Sequence, residues 1–145
     1  MLEISMSHIS EFITNHWLLV FALVVIVLLL VVDTLKRRVL GFRDIKPQEA
    51  VSLINHQGAL VLDVREDKEY HEGHVLNARL IPYGLLDERL HELEDYRERP
   101  LVVYCRTGQR AARACALLRN QGFTQVYKLS GGMLAWRGAD LPVVK

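Results

Sequence analysis

Leu101-Val102-Val103-Tyr104-Cys105-Arg106-Thr107-Gly108-Gln109-Arg110 is the stretch on which the fold turns. Its first four residues form a short apolar run of the kind found in strands buried on both faces. The polar run after them, with a glycine inside it, reads as a tight loop. From Ala111 to Gln121 the apolar positions Ala111, Ala114, Cys115 and Leu118 recur at helical spacing. Arg113 and Arg119 point away from that stripe, and Gly122 supplies the stop. The order strand, loop, helix therefore sets a thiol at the carboxyl end of a strand and the amino end of a helix.

The pattern repeats outward from this unit. Leu60-Val61-Leu62-Asp63-Val64 and Val126-Tyr127-Lys128-Leu129 read as strands, and Leu80-Ile81-Pro82 as a short one ended by its proline. Pro47 suits the first turn of a helix running to about Asn55. Leu86, Leu90 and Leu93 mark a second helix over 85–93. Strands alternating with helices predict an α/β fold with a parallel sheet covered on both faces, whose ligands bind beyond the carboxyl ends of the strands. Residues 42–145 are enough for one compact domain with its own core.

Each feature around Cys105 has a chemical consequence. A helix start leaves free N–H groups and partial positive charge. A loop of this length can curl its amides toward the sulfur, as a nest does for an anion. Gly108 gives the backbone freedom for that curl. Arg106 and Arg110 add positive charge, with Thr107 and Gln109 completing the loop. Together they favour the thiolate, which is the nucleophile. An inert core cysteine is the bland alternative, and the flanking Arg-Thr-Gly-Gln-Arg speaks against it. Cys115 reads the other way, as core, because it lies among alanines on the apolar stripe of its helix.

A cysteine, a loop, an arginine and a helix also describe tyrosine phosphatases. In those enzymes five residues separate the cysteine from an arginine that grips phosphate with both arms. Here the arginine comes one place early, at Arg110, and the sixth position after Cys105 is Ala111. A shorter loop makes a smaller cradle, suited to a single transferred sulfur atom. Phosphatase or arsenate reductase chemistry is thereby the third-ranked reading.

Residues 42–145 resemble a single rhodanese domain, on four stretches in order. Leu62-Asp63-Val64-Arg65-Glu66 resembles the family's Asp-Val-Arg segment. Glu69-Tyr70 with Gly73-His74-Val75, ending at Ile81-Pro82, resembles the next. Val103-Tyr104-Cys105-Arg106-Thr107-Gly108 resembles the active-site strand and loop. Gly131-Gly132, Met133 and Trp136 resemble the final Gly-Gly-x-x-x-Trp. One departure is Leu76-Asn77-Ala78 where the family often has Pro-Gly-Ala, and asparagine tolerates the left-handed turn this position asks for.

The resemblance implies sulfurtransferase chemistry without a cofactor or metal. Cys105 would take the outer sulfur of a small sulfur-containing anion such as thiosulfate and hold it as a persulfide. A thiol or protein acceptor would then remove it. The amides from Arg106 to Arg110 would stabilise the sulfur, while Arg106 and Arg110 attract the donor. Asp63 would accept loop amides or pair with Arg65 as support, and His74 would be a structural hydrogen-bonding residue. A membrane-held protein-binding module with little catalysis is the second-ranked reading.

The N-terminal part is of another kind. Trp17 to Val32 are 16 apolar residues in succession, and no Asp, Glu, Lys or Arg occurs in the 21 residues between Glu11 and Asp33. At 1.5 Å per residue an uncharged helix of that length covers roughly 30 Å, the thickness of a bilayer core. The expected organisation is a tail over 1–11, a transmembrane helix over 12–33, a basic juxtamembrane linker over 34–41 and the α/β domain over 42–145. Lys36, Arg37, Arg38, Arg43 and Lys46 follow the apolar run, and Glu3 and Glu11 precede it. That asymmetry predicts an outward N-terminus and a cytoplasmic domain whose two cysteines stay reduced. The expected partners are the lipid bilayer and a possible membrane protein. A net charge of +1 gives no basic excess for a nucleic-acid partner.

Overall fold

The computed structural model describes residues 12–39 and 41–145, with side chains of the first segment described over 12–32 and at 35. The expected tail over 1–11 lies outside the described residues. Two compact units divide the chain between Val39 and Leu40.

The first unit is helical. Residues 12–15 form a short helical piece, His16 makes a turn, and helix α1 runs over Trp17–Val39. From Trp17 to Val32 every side chain except Val20 is exposed. Two expectations change here. The stretch expected as a linker is helical as far as Val39. Among the described residues, no helix is long and apolar enough to cross a membrane. The apolar run of described side chains covers only about 24 Å at the helical rise, against roughly 30 Å of hydrocarbon.

The second unit is an α/β sandwich. Its elements are β1 (Arg43–Ile45), α2 (Pro47–Gln57), β2 (Leu60–Asp63), α3 (Asp67–His71), β3 (His74–Val75), β4 (Arg79–Leu80), β5 (Leu101–Tyr104), α4 (Gln109–Asn120), β6 (Val126–Leu129), α5 (Gly132–Gly138) and β7 (Val143–Val144). Five strands form one parallel sheet in the order β1-β6-β5-β2-β4, and β3 pairs with β7 in a small antiparallel ribbon. The central strand β5 is buried at all four positions. Its side chains alternate between two cores, as the two-residue period of a strand requires. Leu101, Val103 and then Cys105 face Ala111, Ala114, Cys115 and Leu118 of α4. Val102 and Tyr104 face Ala50 of α2 and Met133 and Trp136 of α5.

The expected helix over 85–93 is not α-helical. Two 3-10 segments, Tyr83–Leu85 and Leu90–Tyr96, stand there instead. Leu86 and Leu93 are still fully buried, so the spacing correctly marked residues that face the core. Gly84 in the first segment and that segment's three-residue length fit the tighter turn. Strand β1 was not expected, because a three-residue Arg-Asp-Ile carries no apolar run. Helix α2 ends on Gly58, at φ +61.

In register, Asp63 of β2 lies beside Tyr104 of β5, and Leu62 beside Val103. The carboxyl ends of the central strands therefore come together at the point where Cys105 leaves the sheet.

Candidate active site

Cys105 follows β5 directly and is 1 % exposed. The chain then curls through Arg106 and Thr107 to Gly108, which caps α4 at φ +111. That backbone angle is one that residues with a side chain rarely adopt. It turns the Gly108 amide back on the loop, where it donates to Cys105 Sγ at 3.0 Å. Of the amides expected to converge on the sulfur, this is the one within hydrogen-bonding distance among the described residues. Arg106, Thr107 and Gln109 are exposed on the outer side.

The carbonyls of the loop are held from behind. Met133 N–H donates to the Cys105 carbonyl at 2.8 Å, and Leu134 N–H to that of Arg106 at 3.2 Å. The Gly131-Gly132 pair makes this approach possible. A Cβ on Gly132 would stand 2.4 Å from the Cys105 oxygen and 2.7 Å from the Arg106 oxygen, with the residue at φ +57. In the sequence the pair stands only as part of the Gly-Gly-x-x-x-Trp resemblance. Its closer function is to let a second backbone touch the cysteine loop, which no local sequence signal shows.

Arg110 departs from the expected part. It does not present a free cation. Its two terminal nitrogens donate to both oxygens of Glu69 of α3, at 2.8 and 2.9 Å. Glu69 also accepts the Glu66 N–H in a capping box at the start of α3. The hydrogen bonds from Arg110 hold the Glu69 carboxyl below the ordinary carboxylate range. The pair ties α3 to the first turn of α4 and thus to the loop. It also takes away the arginine fork that phosphoryl chemistry would need.

Asp63 and Arg65 form a buried support under the loop. Asp63 is fully buried and Arg65 is 4 % exposed. Arg65 donates from Nε and Nη2 to the carboxylate at 2.6–3.0 Å, and its backbone N–H donates to Asp63 Oδ1 at 2.9 Å. Arg65 Nη2 also reaches the Gly73 carbonyl, 2.9 Å away. The Tyr104 hydroxyl donates to Asp63 Oδ2 at 2.6 Å and accepts the Val75 N–H at 3.2 Å. Burial, and next the Asp63 charge, push the Tyr104 hydroxyl well above its ordinary range. So Asp63 pairs with Arg65, and the amide it accepts is that of Arg65 and not of the cysteine loop. Tyr104 and Glu69 are the members of this assembly that sequence reasoning missed.

His74 keeps to a structural place. Its Nδ1 lies 3.1 Å from the Tyr70 carbonyl, and its ring stacks on Tyr70 at 3.7 Å. Asn77 takes φ +61 in the turn after it. Cys115 is fully buried, and burial pushes its thiol up. No group of His, Cys, Asp or Glu among the described residues could hold a metal ion.

A family model described as the rhodanese-like domain matches residues 46–139. The chain belongs to the rhodanese family. Its relatives divide by what their names say. It is 29 % identical over 141 residues to the uncharacterized protein YibN of Escherichia coli strain K12, covering 97 % of this chain and 99 % of that one. It is 36 % identical over 96 residues to the thiosulfate sulfurtransferase GlpE of Stutzerimonas stutzeri, covering 66 % of this chain and 85 % of that one. The crystal structure of a rhodanese-related protein from Thermoplasma volcanium matches with a TM-score of 0.65 at 32 % identity, over 71 % of this chain and 98 % of that chain. The rhodanese fold thus accounts for the second unit, and the match to YibN extends through the first.

Proposed function

We propose that this protein is a sulfurtransferase that carries a sulfane sulfur on Cys105, loading it from a donor such as thiosulfate and passing it to a thiophilic acceptor. The observation that carries this reading is the Gly108 amide aimed at Cys105 Sγ from a helix start. A fixed N–H and the end of α4 stabilise negative charge on sulfur, both before attack and on the persulfide afterwards. Rhodanese relatives named sulfurtransferases support it. The Asp63–Arg65–Tyr104 support and the Glu69–Arg110 pair position the loop. Arg106 is the loop cation left to meet an anion.

We propose separately that the first segment holds the domain at a membrane. Residues 12–15 are also helical, so the uncharged stretch 12–32 exceeds the apolar run alone and approaches the thickness of a bilayer core. Its exposed apolar side chains find cover in lipid, and the cations after it favour the cytoplasmic side. The full-length match to YibN supports a shared first segment.

The test is thiosulfate treatment of the full-length protein beside Cys105→Ser. The expected result is a mass gain of one sulfur atom on Cys105 and transfer to cyanide that the serine variant lacks. Absence of both in the unaltered protein overturns the reading.

A further inference from the structure

A second opening of the α/β domain shares no residue with the cysteine loop. It is a cavity of about 270 Å³ between α2, the turn after β3 and the chain around α5. Val51 and Ile54 of α2, Leu76 of the turn and the ring of Trp136 form apolar walls. None of the nine residues lining it is charged. The Trp136 indole N–H is already spent on the Pro142 carbonyl, at 3.0 Å, so this side chain offers only its ring. The polar side chains left are two amides, Asn55 and Asn77. Both residues are exposed, and among the described residues neither carboxamide has a hydrogen-bond partner.

Part of this cavity is the chain's own departure from its family. Leu76 and Asn77 stand where rhodanese domains often have proline and glycine. Leu76 is 53 % exposed, a large apolar side chain held at the opening. Asn77 sits at φ +61, a conformation that glycine takes more cheaply. The departure keeps a less favourable backbone and gains a carboxamide at the rim of an apolar cavity.

Size and chemistry together select an occupant. Pockets that enclose a whole small molecule run to roughly 300–1,000 Å³, and this one is smaller and open to solvent. It has room for an apolar side chain rather than for a complete ligand. A carboxamide donates and accepts at once, which is the pattern that a peptide unit matches. An ionic head group would find no counter-charge in the lining to offset its desolvation. We infer that this cavity is a docking site for an extended peptide segment of a partner protein, uncharged over the contact. The segment seats an apolar side chain such as leucine against Trp136 and pairs its backbone amides with Asn55 and Asn77. The inference stands on this surface alone and does not depend on sulfur transfer at Cys105.

The test titrates the full-length protein, in detergent, against a fluorescent neutral peptide, Ser-Ala-Leu-Ala-Ser blocked at both ends, and reads anisotropy. Saturable binding is expected, and aspartate in place of the peptide's leucine should abolish it. Methylating the amide nitrogens beside that leucine should weaken binding about tenfold, the scale of a lost hydrogen bond. Asn77→Gly is the deciding variant, because glycine holds this left-handed turn without strain and leaves the fold intact. It should weaken the plain peptide about tenfold and leave the methylated one nearly unchanged. Equal affinity of the plain peptide for Asn77→Gly and the unaltered protein overturns the assignment, and displacement of that peptide by hexanol then gives the cavity to an aliphatic chain. A dimer of the full-length protein that Leu76→Ser dissolves makes the occupant a second copy, which overturns it as well. Absence of saturable binding ends the proposal and leaves the sulfur-transfer reading untouched.

Discussion

At the scale of single residues, the site depends on positions with no reactive atom. Gly132 is the sharpest of them. Its absent side chain is the space through which two amides of α5 reach the carbonyls of Cys105 and Arg106. Gly132→Ala should therefore destabilise the domain by roughly 3 kcal/mol, from the left-handed backbone and the contact with carbonyl oxygens. Denaturant unfolding would measure it, and a loss within the range of ordinary surface changes would contradict the close approach. Asp63 is the second position. Asp63→Asn leaves Arg65 buried with its charge uncompensated, at an expected cost of about 3 kcal/mol. The pairing of Asp63 with Arg65 was open to sequence reasoning because the two lie on one strand end, two residues apart. Gly132 was visible as half of a Gly-Gly pair, but the carbonyls it must avoid come from residues 26 and 27 positions earlier, and periodicity carries no information about such a meeting.

At the scale of elements, α4 was the easiest to read and the short pieces the hardest. The stripe Ala111, Ala114, Cys115 and Leu118 is the buried face of the observed helix, and the loop before it stands where the residue order put it. Strand β1 was missed because three residues leave too little pattern to separate from a loop, and the 3-10 segments because leucines three and four apart mark a core-facing side in either kind of helix. The pairing of α3 with α4 was beyond reach for another reason. Glu69 and Arg110 are 41 positions apart, and only the parallel order of β2 and β5 brings their following elements together. This pair gives a pH prediction. Glu69 has a lowered folded pKa, so its stabilisation is present above the unfolded value near about 4.3 and is lost as pH falls through the folded value. Glu69→Gln should cost about 1 kcal/mol at neutral pH, partly exposed as the pair is, and progressively less as pH drops below 4 or so. Unfolding curves of both proteins across that range should converge at the acid end.

At the scale of the whole molecule, two units of opposite character share one chain. The second is a complete α/β core with the cysteine at its centre. The first presents apolar side chains along nearly its full described length. The membrane reading predicts that the full-length protein stays with the bilayer fraction through both high-salt and alkaline washes, and that removing residues 1–33 releases the remainder to the supernatant. Release of the intact protein by salt alone would reduce the association to surface charge and end the anchoring proposal.

The hydrogen bonds from Met133 and Leu134 to the cysteine loop also have a bearing on time. A parallel sheet whose neighbours lie far apart in sequence closes slowly, since long loops must be drawn in before the contacts that reward them exist. The cradle of Cys105 is finished by a backbone some thirty residues further on, so it cannot set while that stretch is still on the ribosome. Until then Cys105 is a cysteine like any other on an emerging chain. The special surroundings of its sulfur arise only with the closed fold, and a half-made copy does not have them.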